Sequence, residues 1–180
     1  MKIICIRHTT IDVPKGICYG QKDVNVSLSY AEELLQIKGK LKSIDVPDKI
    51  YTSPLLRCRI LSEDLFPDYS VIHDKRLEEL NFGDWEGKTW DEIYSQEKGS
   101  YWMNNYLSVC CPKGESYPEL KNRVMSFYRE LCSSNIRNIA IVTHAGVIRI
   151  LKSIITKESI EDVFSDFSPE YGGVYPFEVK

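Results

Sequence analysis

The sequence predicts an α/β protein of three layers, with a mostly parallel central sheet covered by helices on both faces. Three observations predict it. Short apolar runs at residues 2–6, 48–52, 70–72 and 137–142 each end in a polar turn, and the segments between them carry helical periodicity. Two of these runs finish on a histidine, His8 and His144, at the strand end where open α/β sheets bind ligands. Strands alternating with helices favour parallel pairing, because each crossover helix must pack back onto the sheet.

The elements follow in order. Ile3-Ile4-Cys5-Ile6 is a strand that delivers Arg7 and His8 side by side. Ala31, Leu34, Leu35, Lys38 and Leu41 recur at helical spacing, and Ser29 with Glu32 matches a capping box. Lys49-Ile50-Tyr51-Thr52 is the next strand, followed by Ser53-Pro54-Leu55-Leu56-Arg57. Here Pro54 suits the first helical position with Ser53 as its cap, so Arg57 falls about one turn into a helix whose amino end faces the same sheet edge. Thr89 with Glu92 and Ser116 with Glu119 are two further capping boxes. The second opens a helix carrying Leu120, Val124, Phe127, Tyr128 and Leu131 on one face. Ile139-Ala140-Ile141-Val142 is a late strand running into Thr143-His144-Ala145-Gly146, where another helix begins. The tail 172–179 is expected as an edge strand, since Pro176 lacks the N–H that a central strand must donate.

Residues 1–180 are expected to form one domain, long enough to bury roughly 70% of the unfolded surface. All three tryptophans (Trp85, Trp90 and Trp102) fall within residues 82–117, with Phe82, Tyr94, Tyr101, Tyr106 and Tyr117. This stretch is expected to be an insertion over the carboxyl edge of the sheet. Its rings are expected chiefly as packed core, with one or two available to stack on a flat heterocycle.

Lys and Arg number 23 against 26 Asp and Glu, a net charge of −3, so no overall basic field exists for nucleic acid or an anionic membrane. Any bound anion must be held by a local cluster of cations. The six cysteines form no Cys-x-x-Cys pair and no zinc-type spacing with histidine, and they read as small apolar filler. No metal or cofactor is therefore expected. The chain opens directly on a strand and has no apolar run of membrane length, so a reduced, cytoplasmic location is expected. The expected partner is a small phosphorylated metabolite, with no nucleic acid and no membrane, the protein being a monomer or homodimer. His73, beside Asp74, reads as an exposed loop histidine, and Lys38, Lys40 and Lys42 as charges on a solvated helix face.

Arg7 and Arg57 carry the chemistry that would follow. Each guanidinium offers a planar fork of donors that stays charged at any working pH, and two of them could neutralise a phosphate dianion. The helix amino end at Ala145-Gly146 adds backbone donors. A histidine with one neutral ring nitrogen is a competent phosphoryl acceptor, and flanking arginines depress its pKa toward that form. The departing alkoxide needs a proton. Glu79 is the candidate acid, with Glu78 adjacent and Glu86 close by in sequence.

Taken in order, these pieces resemble a known family. Arg-His follows the first strand and Ser-Pro-Leu-x-Arg the second. Glu-x-x-Phe-Gly-x-Trp-Glu-Gly, Gly-Glu-Ser and His-Ala-Gly come after them. The set looks like the histidine phosphatase superfamily, with its phosphoglycerate-mutase-like fold, over residues 5 to about 150. The resemblance implies that His8 becomes phosphohistidine and that Arg7, Arg57 and His144 hold the phosphoryl group. It also implies that Glu79 protonates the leaving group and then activates water, with no metal. Within the superfamily, Gly16-Ile17-Cys18-Tyr19-Gly20-Gln21-Lys22-Asp23, Leu55-Leu56-Arg57-Cys58-Arg59 and Phe82-Gly83-Asp84-Trp85-Glu86-Gly87 are most similar to the α-ribazole-5′-phosphate phosphatase branch of cobamide assembly. The usual Arg-His-Gly-Glu-Thr opening is here Arg7-His8-Thr9-Thr10-Ile11, and Val13-Pro14 replaces Trp-Asn, removing a phosphate-binding asparagine. Thr9 or Tyr19 could take its role; with Gln21 and Ala145 they are the expected substrate contacts. Alternatives are a phosphatase of another small metabolite, a phosphoglycerate mutase, or a catalytically silent module that binds phosphorylated ligands.

Overall fold

The structure is a computed structural model and describes residues 1–179. Five strands form one sheet: β1 (Lys2–Arg7), β2 (Lys49–Thr52), β3 (Val71–His73), β4 (Asn138–Thr143) and β5 (Val174–Glu178). Their spatial order is β3-β2-β4-β1-β5, with every pairing parallel except β1 with β5. β5 takes the edge, as expected, and Pro176 sits in it opposite Ile4.

The two-residue period of the strands sorts the core into two layers. Ile4, Ile6, Ile50, Ala140 and Val142 face one side and pack against Ile37 of α1 (Tyr30–Leu41) and Cys58 and Leu61 of α2 (Leu56–Leu65). Ile3, Cys5, Tyr51, Ile139 and Ile141 face the other. There they meet Leu120, Val124, Phe127 and Leu131 of α5 (Tyr117–Ser133) and Val147, Ile148 and Leu151 of α6 (Ala145–Thr156). The remaining helices are α3 (Trp90–Tyr94), α4 (Glu97–Asn105) and α7 (Ile160–Asp166). The aromatic stretch joins the second layer: Trp85 and Trp102 are buried in it, and Trp90 stacks on Trp102 at 6.2 Å and 13°.

Two capping boxes form as the sequence predicts, at Thr89–Glu92 and Ser116–Glu119. Two cap expectations fail, because each hydroxyl has another partner. Ser29 precedes α1 but sits in helical conformation, and its Oγ donates to Glu33 rather than accepting from Glu32. Ser53 and Pro54 lie outside α2, whose cap residue is Leu55. The Ser53 hydroxyl is engaged with His144, and the amino end of α2 is served instead by the Asp23 carboxylate, which accepts from the Leu56 N–H at 2.7 Å. Leu35, part of the predicted apolar face of α1, is exposed. His73 is exposed as expected, but it ends β3 rather than lying in a loop.

Candidate active site

Strand order brings the sequence-distant candidates together. β1 and β4 are neighbours with Arg7 opposite Thr143, so the next residues along, His8 and His144, emerge side by side. Their rings meet edge to face at 5.1 Å. β2 flanks β4 on its other side, and the Ser53 N–H donates to the Val142 carbonyl, continuing the ladder past the strand end. Arg57 follows in the first turn of α2.

His8 is held in one tautomer. Its Nδ1–H donates to the Thr9 carbonyl at 2.8 Å, which leaves Nε2 without a proton. The Arg57 Nε–H donates to that nitrogen at 3.3 Å. Burial, and then the charges of Arg57 and Arg7, hold the His8 pKa well below the ordinary imidazole value. His144 is depressed for the same reasons, burial first, and its Nε2 is hydrogen-bonded to Ser53 Oγ at 2.8 Å. Cys58 Sγ lies 3.5 Å from the same nitrogen, and burial pushes its thiol up to about 12, so it remains protonated filler.

Arg57 is fully buried, and its other nitrogens are anchored on the Lys22 carbonyl at 3.0 Å and the Gly20 carbonyl at 2.7 Å. Gly20 is needed there: its φ is +42°, and a Cβ would overlap Glu86 and the Leu80 carbonyl. Arg7 Nη1 donates to the Pro169 carbonyl at 2.7 Å, while its buried Nε has no partner. The Thr9 hydroxyl is likewise buried and unpartnered. An unpartnered guanidinium N–H on the residue next to a neutral imidazole suits the binding of an anion.

Glu79 stands at the end of a segment fixed by three side chains. Thr143 Oγ1 donates to the Leu77 carbonyl at 2.7 Å and Gln21 Nε2 to the Glu79 carbonyl at 2.9 Å. Arg123 gathers the carbonyls of Arg76, Glu78 and Glu79 while paired with Glu115. The Glu79 carboxylate then accepts from the Leu80 and Gly146 amides at 3.0 and 3.3 Å, the second at the amino end of α6. Gly146 permits this approach, since a Cβ would collide with Glu79 Oε1.

Beside this cluster opens a cavity of about 560 Å³ lined by Glu79, Ala145, Tyr19, Phe82, Trp90 and Tyr117, among others. Of the three candidate carboxylates, Glu79 alone lines it. Glu78 faces a separate polar groove, and Glu86 is engaged by the Gln21 and Phe82 amides. Tyr19 and Ala145 lie on the cavity wall. Gln21 does not, its amide being spent on the Glu79 backbone, and neither does Thr9, which is fully buried. Sequence reading missed Tyr171, Pro169, Arg123 and Arg149, which carry no local pattern and reach the site only through packing. Among the described residues no group of three or more His, Cys, Asp or Glu could hold a metal, and no helix is long and apolar enough to cross a membrane.

Comparison with known proteins bears on the family and the fold. Residues 3–179 match the histidine phosphatase superfamily (branch 1). A Hydrogenobacter thermophilus protein provisionally named phosphoserine phosphatase 2 is 28% identical over 172 residues, covering 91% of this chain and 83% of its own. A 2,3-bisphosphoglycerate-dependent phosphoglycerate mutase of Rhizobium johnstonii is 30% identical over 176 residues, covering 91% and 83%. The crystal structure of the α-ribazole phosphatase from Shigella flexneri superposes with a TM-score of 0.91 at 22% identity, covering 100% of this chain and 91% of that one. The expected α/β fold is thus that of solved phosphatases, and the chain belongs to the histidine phosphatase superfamily, whose members are phosphatases and mutases.

Proposed function

We propose that this protein is a metal-independent phosphomonoesterase that works through a phosphohistidine on His8, with the 5′-phosphate of α-ribazole 5′-phosphate as its substrate. The observation that carries the reading is the fixed tautomer of His8, whose unprotonated Nε2 lies against a guanidinium with a carboxyl-lined cavity alongside. Nε2 attacks phosphorus in line with the ester oxygen. Arg7, Arg57 and His144 stabilise the charge on the three equatorial oxygens. The leaving alkoxide takes a proton from Glu79 as the P–O bond breaks. Glu79, now ionised, removes a proton from water, which attacks the phosphohistidine and releases inorganic phosphate and neutral His8.

The nucleoside-like aglycone is supported by the cavity's aromatic wall, where Phe82 and Trp90 meet at 5.3 Å, and by the α-ribazole phosphatase name carried by the superposing structure. A second reading has its own observation. Lys15 and Arg149 also line the cavity and join no ion pair among the described residues, which suits an ester bearing a carboxylate, such as phosphoserine or phosphoglycerate. Phosphate release from a panel of phosphorylated metabolites separates the two. The highest kcat/KM on α-ribazole 5′-phosphate supports the first. Preference for phosphoserine, or isomerisation of phosphoglycerate dependent on a bisphosphate primer, would replace it with the second. An unlabelled protein during turnover would remove the phosphohistidine altogether.

A further inference from the structure

His8 is 1% exposed and Arg57 and His144 are 0% exposed, so no phosphoester reaches them in this conformation. Two tyrosines close the way. The Tyr171 ring centroid lies 3.9 Å from Arg7 Cζ and 5.5 Å from the His8 ring. The Tyr19 ring lies 5.2 Å from Arg57 Cζ. The two hydroxyls are hydrogen-bonded at 2.9 Å, joining a roof over one guanidinium to a roof over the other. Both tyrosines line the cavity whereas His8 does not, so the arch they form is the partition between them.

Both backbones are tied down by hydrogen bonds. The Gly172 N–H donates to the His8 carbonyl at 3.1 Å and the Arg7 N–H to the Gly173 carbonyl at 3.0 Å, which pins Tyr171 to the end of β1. Tyr19 is pinned between the Cys18 N–H, bonded to the Lys88 carbonyl, and the Gly20 carbonyl, bonded to Arg57. What remains free is side-chain rotation, opposed by the neutral hydroxyl–hydroxyl hydrogen bond and by the contact of each ring with its arginine. Tyr171 is 37% exposed, so its ring has open space into which to turn.

We infer that Tyr171 is a positioning residue with two separable effects. Its ring holds Arg7 against the phosphoryl site, and its hydroxyl, latched to Tyr19, gates His8 from solvent until a phosphoester enters. The inference rests on His8 being the phosphoryl acceptor and is independent of which aglycone the cavity takes.

Diethyl pyrocarbonate, which acylates neutral imidazole nitrogens, tests it without any substrate, with modified histidines located by peptide mass mapping. His73, exposed and remote in the sheet order, serves as the internal reference. In the wild type His8 reacts far more slowly than His73. Tyr171→Phe keeps the ring on Arg7 and cuts the latch. It raises the His8 rate about fivefold, the worth of one neutral hydrogen bond, and raises kcat/KM on p-nitrophenyl phosphate, because the competent open state is more populated. Tyr171→Ala also raises the His8 rate but lowers kcat/KM about tenfold or more, since Arg7 loses its support. An unchanged His8 rate in both variants overturns the gate. A kcat/KM for Tyr171→Phe at or below wild type also overturns it, since the hydroxyl would then be acting on substrate directly.

Discussion

Arg57 donates from Nε to Nε2 of His8 across 3.3 Å, although the two residues lie 49 positions apart and follow different strands. That single contact requires β1 and β2 to end on the same edge of the sheet. It also requires the His8 proton to be on Nδ1, where the Thr9 carbonyl holds it. The mechanism proposed for this protein begins from that arrangement, and the following outcomes test it.

Rapid quenching with a phosphoester should yield an acid-labile, base-stable phosphoryl label on the wild type. His8→Ala should carry no label and lose at least about a thousandfold in kcat, the usual consequence of deleting a covalent nucleophile. A His8→Ala protein that still labels would move the acceptor elsewhere, with His144 the nearest imidazole.

Arg57→Lys keeps the charge but not the fork. A single ammonium cannot reach His8, Gly20 and Lys22 together, so kcat/KM should fall about a hundredfold or more despite the conservative change. Steady-state kinetics on p-nitrophenyl phosphate would show it, and a loss of less than about threefold would mean that the guanidinium serves only the chain.

Glu79→Gln should divide substrates by leaving group. With p-nitrophenyl phosphate, whose phenolate needs no proton, the phosphoenzyme should still form and accumulate. With an alkyl phosphate, formation itself should slow by about a hundredfold to ten-thousandfold. Equal losses on both substrates in stopped-flow bursts would argue against an acid role.

Acid should destabilise the fold through the two buried imidazoles. Both have folded-state pKa values well below 6.5, so below that pH the unfolded chain binds protons that the native state refuses. Stability is therefore complete above pH 6.5 and is lost as pH falls below it, at up to about 1.4 kcal/mol per pH unit for each histidine. Chemical denaturation from pH 7 to pH 5 should show this slope, and His144→Asn should flatten it. An unchanged slope would mean that His144 does not contribute.

Arg123 is not part of the wall of the 560 Å³ cavity, yet it ties three carbonyls of the segment that presents Glu79 and pairs with Glu115. Arg123→Ala strands the half-buried Glu115 carboxylate and should cost about 2–4 kcal/mol of unfolding free energy. Its readout beyond stability is a fall in kcat with little change in KM, as Glu79 loses its fixed position.

Much of the fold was legible along the chain because its signals are local. Strand runs with alternating faces, the Thr89 and Ser116 capping boxes and the proline-bearing edge strand each depend on residues a few positions apart. The histidines at strand ends and the arginines beside them were readable for the same reason. The caps at Ser29 and Ser53 misled, since a hydroxyl that could cap a helix was drawn to another partner, the nearby Glu33 in one case and the distant His144 in the other. Glu79 could not be separated from Glu78 and Glu86 by chemistry alone, because three carboxylates near one another in sequence are equivalent until packing gives each a different neighbour.

The order of residues by itself determined which groups are chemically able to meet a phosphate and which strand ends carry them. Only the tertiary structure decided how they meet: that β4 inserts between β1 and β2, that His8 keeps its proton on Nδ1, and that Tyr171 from the far end of the chain roofs Arg7. The reason is physical. Propensity and periodicity act over one or two turns of chain, whereas pKa, tautomer and access are set by charges and contacts from every element that surrounds a side chain, however distant in sequence.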